Sequence, residues 1–152
     1  MVLLPLAGSQ CGLEGPRVSI DEETRPLYFE QIARGQRAAL TDTVEIVIED
    51  NETWTRYSGF LGVAPPDHPV DFDQMMVLLV AVPAESGGYD VSFRSVEAAD
   101  SVIVAHYVLG VPDDDCMTAM GITTPFQAVS VPRVDLPVVF ERGIERVRCT
   151  LR

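Results

Sequence analysis

Residues 75 to 82 read Met-Met-Val-Leu-Leu-Val-Ala-Val. A strand with one face in water alternates apolar and polar residues. An unbroken apolar run of this length predicts instead a central strand covered on both faces. Ser86-Gly87-Gly88 follows as a turn. Beyond it Tyr89, Val91 and Phe93 share one face, and Asp90, Ser92 and Arg94 the other. Glycine supplies the positive φ of a tight turn, so this segment predicts a hairpin.

Outward from there, period two dominates. Val44, Ile46 and Ile48 alternate with Glu45 and Glu49, a half-buried strand. Asp50-Asn51 caps a short helical turn over Glu52 to Tyr57, with Trp54 and Tyr57 on its core side. Gly59 to Pro69 is a loop. Ser101 to Leu109 reads as a strand apolar on both faces, broken at Pro112 to Asp115. Phe126 to Val131 and Leu136 to Phe140 are two more strands. The tail alternates Val147, Cys149 and Leu151 with Arg146, Arg148 and Arg152. Leu27 to Ile32 forms an N-terminal strand ending near Gly35. Strands do not alternate with long helices, which excludes a parallel α/β fold. The expected class is all-β: an antiparallel sandwich or partly open barrel with one short helix. Residues 1–16 read as an export-signal remnant or flexible N-terminus, and 17–152 as one β-rich domain.

The 152 residues carry 23 Asp and Glu against 11 basic residues, a formal net charge of −12. That sign opposes the counterion release that drives nucleic-acid binding, and it opposes docking on anionic membranes by charge. Every basic residue is Arg, so no Schiff-base or P-loop lysine exists.

Small residues precede Cys11 near the start of the chain, the setting of a lipid anchor, although Gln10 fits such a site poorly. Any membrane association would run through that anchor alone. Cys116 and Cys149 are then left either to pair as a disulfide or to pack as small apolar residues. No CxxC spacing suggests zinc.

An ordered set of short pieces carries a resemblance. Val70-Asp71-Phe72 precedes Met76-Val77-Leu78. Then come Ser86-Gly87-Gly88-Tyr89-Asp90-Val91, the strand Val102 to Val108, Thr124-Pro125-Phe126 and Val129-Ser130-Val131-Pro132-Arg133. Val138-Val139-Phe140 closes the set. Together with Val44 to Ile48 and Asn51-Glu52-Thr53-Trp54, this resembles the PrcB-like protease-complex subunits over roughly residues 40 to 141. The run Asp113-Asp114-Asp115 departs from the family pattern. The resemblance implies an exported, often lipid-anchored, non-catalytic protein of the periplasm or cell envelope. Its partner class would be a protein, in the founding member's case an exported protease complex that it stabilises.

Candidate sites sort as follows. His106 lies mid-strand beside Val102, Val104 and Val108 and reads as a sheet histidine rather than a base. His68 sits in a proline loop, and neither GxSxG nor HExxH occurs. Three aspartates just before Cys116 would raise its thiol pKa rather than activate it. Asp67, Asp71 and Asp73, or Asp113 to Asp115, offer oxygens for calcium but lack EF-hand spacing, and Asp71 reads as a turn cap. Trp54, Gly87, Gly88, Tyr89 and Phe126 are the candidate binding residues: aromatics for a recognition face, glycines for close approach. The arginines from Arg142 to Arg152 either dock an acidic partner or protect a sheet edge. The sequence therefore predicts a non-enzymatic interaction module with no cofactor and no resident metal. A small-ligand or glycan-binding sandwich is the second reading, and a calcium-stabilised structural domain the third.

Overall fold

The computed structural model describes residues 23–64 and 69–149. The segment expected to hold the export signal and Cys11 lies outside them, as do Asp67 and His68. Ten strands and one helix follow in order: β1 (Arg25–Pro26), β2 (Glu30–Gly35), β3 (Val44–Ile48), α1 (Asn51–Leu61), β4 (Met75–Ala81), β5 (Ala84–Ser86), β6 (Asp90–Ala98), β7 (Ile103–Pro112), β8 (Met120–Thr123), β9 (Phe126–Pro132) and β10 (Val138–Val147).

One sheet has the order β2-β9-β4-β3 and the other β1-β6-β7-β10. The two pack face to face, and α1 covers the back of the first, so the layers are sheet, sheet, helix. This is the expected mainly-β sandwich, without barrel closure. β4 occupies the place its apolar run demands. Met76, Leu78 and Val80 meet the second sheet through Val91, Phe93 and Tyr107. Val77, Leu79 and Ala81 point the other way, to Trp54, Leu61, Ile48 and Phe126. All six β4 residues from Met76 to Ala81 are buried. At about 1.5–3 kcal/mol per large apolar side chain, this strand is the largest single contributor to the core.

The helix is a turn longer than its sequence signal. Asp50 caps it, its side chain accepting from the Thr53 N–H at 2.7 Å. Gly62, at φ 63°, ends it in the left-handed conformation. The Thr53 amide, then its hydroxyl, hold the Asp50 carboxyl below its ordinary pKa of 3.8.

Three expectations need correction. Gly87-Gly88 does not close a hairpin with the 75–82 run, because β4 pairs with β3 and β9, whereas β6 lies in the other sheet between β1 and β7. The chain after β4 crosses between sheets, and β5 on the way pairs with β8. The strand over 101–109 has one buried face only; Val104, His106 and Val108 lie half-exposed on the outer face. The tail does not end in a separate short strand at Phe140. β10 runs ten residues and pairs with β7 in parallel, from Val138 opposite Ile103 to Val147 opposite Pro112.

Polar links stitch the sheets, among them the ion pair of Arg34 in β2 with Asp90 in β6. A bulge in β6 between Phe93 and Ser95 breaks the ladder. The buried Phe93 N–H there donates to the Gln127 side-chain oxygen of β9 at 2.6 Å, and Gln127 in turn donates to Gln31 at 2.9 Å. At the sandwich rim the Tyr107 hydroxyl donates to Glu45 of β3 at 2.8 Å and accepts from Arg142 of β10 at 2.9 Å. Burial pushes the Tyr107 phenol pKa up from 10.0.

Gln127→Leu keeps the apolar volume but leaves the Phe93 N–H without its acceptor. The expected loss is about 1–3 kcal/mol in urea unfolding, against near-zero loss for an exposed Gln substitution such as Gln74→Leu. A depressed carboxylate pKa stabilises above the unfolded pKa, and that contribution is lost as pH falls through the folded pKa. Asp50→Ala therefore lowers Tm at neutral pH, and the gap to the parent chain narrows as pH falls below 3.8 in a melting series.

Candidate functional site

β5 and β8 form a two-stranded flap beside the sandwich. Its construction starts where β7 ends at Pro112, whose missing N–H stops the ladder. The chain loops back through Cys116, which is disulfide-bonded to Cys149 just past β10, Cα atoms 5.0 Å apart. β8 then pairs antiparallel with β5, Ala84 opposite Thr123 and Ser86 opposite Met120. Thr123 Oγ1 donates to the Ser86 carbonyl at 2.7 Å, and the Gly87 N–H donates to the Ala119 carbonyl at 2.9 Å.

This geometry explains the glycine pair. Gly88 stands at φ 87°, and a Cβ on it would meet Thr118 Cγ2 at 2.9 Å and Pro112 Cβ at 3.2 Å. A Cβ on Gly87 would meet Ala119 at 3.4 Å. The close approach these glycines allow is thus taken by the chain's own loop, and not left for a ligand. Trp54, 5% exposed, and Phe126, 2% exposed, are core side chains under the helix and line no recognition face. Tyr89 is half-buried against the main core. Burial removes Trp54 and Phe126 from any ligand, so the aromatic platform a glycan site needs is not built from these residues.

The flap carries what the sequence reading missed. Met117 is 103% exposed, Met120 98% and Ile122 84%. Large apolar side chains left in water add no burial energy to the fold, and several of them along one short segment are what a contact surface offers. Beside them runs an open groove of about 460 Å³, walled by Arg37, Ala38 and Leu40 on one side and Met120 and Ile122 on the other. The first wall is fixed. The Ala38 N–H donates to the Thr124 carbonyl at 3.1 Å, the Thr124 N–H to the Gln36 carbonyl at 2.9 Å, and the Thr124 hydroxyl to the Leu40 carbonyl at 3.2 Å. Exposed Glu85 and Asp114 flank the flap. Asp113 pairs with Arg146 at 3.5 Å. A spacing signal for these residues was present in Cys116-Met117-Thr118-Ala119-Met120-Gly121-Ile122, which alternates at neither strand nor helix period.

The remaining candidates have structural uses. His106 bridges two strands on the outer sheet face, its Nδ1 3.0 Å from Glu141 and its Nε2 3.8 Å from Glu97. Ser95 lies opposite it in register, yet Nε2 faces the Glu97 carboxylate rather than a hydroxyl. Asp71 accepts from the Asp73 N–H at 3.0 Å, the expected turn cap. Among the described residues no three His, Cys, Asp or Glu side chains converge on a point that could hold a metal ion, and no helix is long and apolar enough to cross a membrane.

Residues 75–132 match the family model described as PrcB C-terminal. The match begins with β4 and ends with β9, so the flap lies wholly inside it. The upstream strand and helix of the resemblance, and Val138 to Phe140, lie outside it. No curated protein and no solved structure matches the chain.

The disulfide pins the loop between β7 and β8 at Cys116 to the end of β10. Cross-linking residues 33 apart restricts the unfolded chain by about 3–4 kcal/mol. Cys116→Ser/Cys149→Ser is expected to lose stability on that scale in urea unfolding, and reductant then has no further effect.

Proposed function

We propose that this chain, which carries a PrcB C-terminal segment over residues 75–132, is a non-catalytic protein-interaction module that docks its partner on the β5–β8 flap. The carrying observation is the exposure of Met120 and Ile122 on a braced ribbon and of Met117 in the loop that leads into it. Unbranched, polarizable methionines adapt to a partner's contours, which is why they recur at protein-binding surfaces. The family description supports a partner belonging to a protease complex. Export to the cell envelope is the matching location, since a Cys116–Cys149 disulfide persists in oxidising compartments. Cys11 is the residue through which a lipid anchor would attach. No cofactor enters this function.

The test is a cross-linked pull-down of the tagged full-length protein from its native envelope, read by mass spectrometry. It runs beside M117S/M120S/I122S, a variant that touches no buried residue and keeps its Tm. One stoichiometric protein is expected with the parent chain, recovered at least about tenfold less with the variant. Equal recovery with both proteins overturns the assignment of the flap. Absence of any partner overturns the interaction reading itself.

A further inference from the structure

The second sheet ends in β10, and its outer edge is unpaired among the described residues. Sheet edges are normally blunted by brevity, bulges, proline or charged side chains. β1 has two residues, β3 has five, and β2 carries a bulge between Gln31 and Ala33. β10 relies on charge alone: it runs ten residues in one register without a shift and without proline. Its charges are sorted by face, and each, though exposed, also meets a group of its own chain: Arg142 the Tyr107 hydroxyl, Arg146 Asp113, Glu141 His106 and Glu145 Arg94. Arg142 and Arg146 share the core-side face with Tyr107 and Val111, whereas Glu141 and Glu145 share the outer face with His106. Ile144, 71% exposed, sits between the two arginines.

This sorting bars a second copy. A two-fold antiparallel pairing through the sheet places residues of like face opposite each other. Centred on Glu141, it sets that residue against itself; centred on Arg142, likewise. Centred on Gly143, it opposes Glu141 to Glu145, and centred on Ile144, Arg142 to Arg146. Every register that pairs most of the strand therefore meets a like charge, which destabilises cross-strand pairs. The same pattern selects a different strand. Antiparallel pairing to Arg146, Glu145, Ile144, Gly143, Arg142 and Glu141 in turn calls for acid, base, apolar, any residue, acid, base.

We propose that the free edge of β10 takes an extended segment of a protein partner with that acid-base-apolar-x-acid-base order, added as a fifth antiparallel strand. The main chain supplies affinity and the face-sorted charges supply register and direction. This inference deepens the reading of the chain as an interaction module, but it uses the β10 edge and not the apolar side chains of the flap, although the end of β10 is tied to the flap loop through Arg146–Asp113 and Cys116–Cys149. Peptide binding at the edge is read without any natural partner, so its failure leaves the flap result standing, and the reverse.

The test is calorimetric titration of the full-length chain with two synthetic ten-residue peptides of Val and Thr. One carries Glu-Lys-Val-Thr-Glu-Lys at its centre, the other Lys-Glu-Val-Thr-Lys-Glu. The first is expected to bind about tenfold tighter, with amide shifts confined to β10 and its neighbour. E145R/R146E reverses one pair of charges. It should weaken the first peptide and favour a peptide carrying Lys-Glu-Val-Thr-Glu-Lys, a rescue that lost folding does not produce. Equal affinities, preference for the second peptide, or no binding overturns the proposal. A dimer in sedimentation, or binding seen only after residues 1–22 are removed, also overturns it, because then the chain itself fills the edge.

Discussion

The structure depends on one strand that has no face to give to water. From Met76 to Ala81 every β4 side chain is apolar and buried. Such a strand requires neighbours on both edges and cover on both faces. β3 and β9 supply the edges, β6 and β7 cover one face, and Trp54 and Leu61 of α1 cover the other. The helix is thus a consequence of the strand: without it, Val77, Leu79 and Ala81 would face solvent.

The same constraint sends the chain outward. After β4 is enclosed, the polypeptide must leave its sheet to reach β6 in the other, and after β7 it must return to start β9. The flap is built from these two crossings, β5 on the way out and β8 on the way back. Its rigidity comes from outside itself: the disulfide at Cys116, the Gly87 amide on Ala119, and Thr124 sewn to the 36–40 segment. A ribbon held this way can keep Met117, Met120 and Ile122 in water without collapsing onto the core. The sandwich is in this sense a rigid mount, closed at its rim by Glu45, Tyr107 and Arg142.

Much of this was legible in the sequence because it is local. The doubly covered strand, the alternating β3, the Asp50 cap and the all-β class follow from pattern alone. Gly87-Gly88 was read as a hairpin because positive φ announces a turn but not which strands the turn joins. The parallel run of β10 on β7 was hidden for a related reason, since register between strands 35 residues apart is decided by the whole sheet. Trp54 fitted both the core side of the helix and a recognition face, and it is core; Met117 carried no reading, and it is exposed. Apolar identity reports a tendency to bury. Which apolar residues find no room depends on the closure of the fold.

The functional reading rests on that contrast. A buried tryptophan and two displayed methionines support the proposed contact with another protein over a grip on a sugar or a small ligand. Methionine oxidation by dilute peroxide tests this most directly, with mass spectrometry on the isolated protein and on its native envelope fraction. In isolation Met117 and Met120 should oxidise fast and Met76, 1% exposed, should not. In the envelope fraction the account predicts that Met117 and Met120 become protected while Met76 is unchanged. Equal oxidation of Met117 and Met120 in both samples would contradict it.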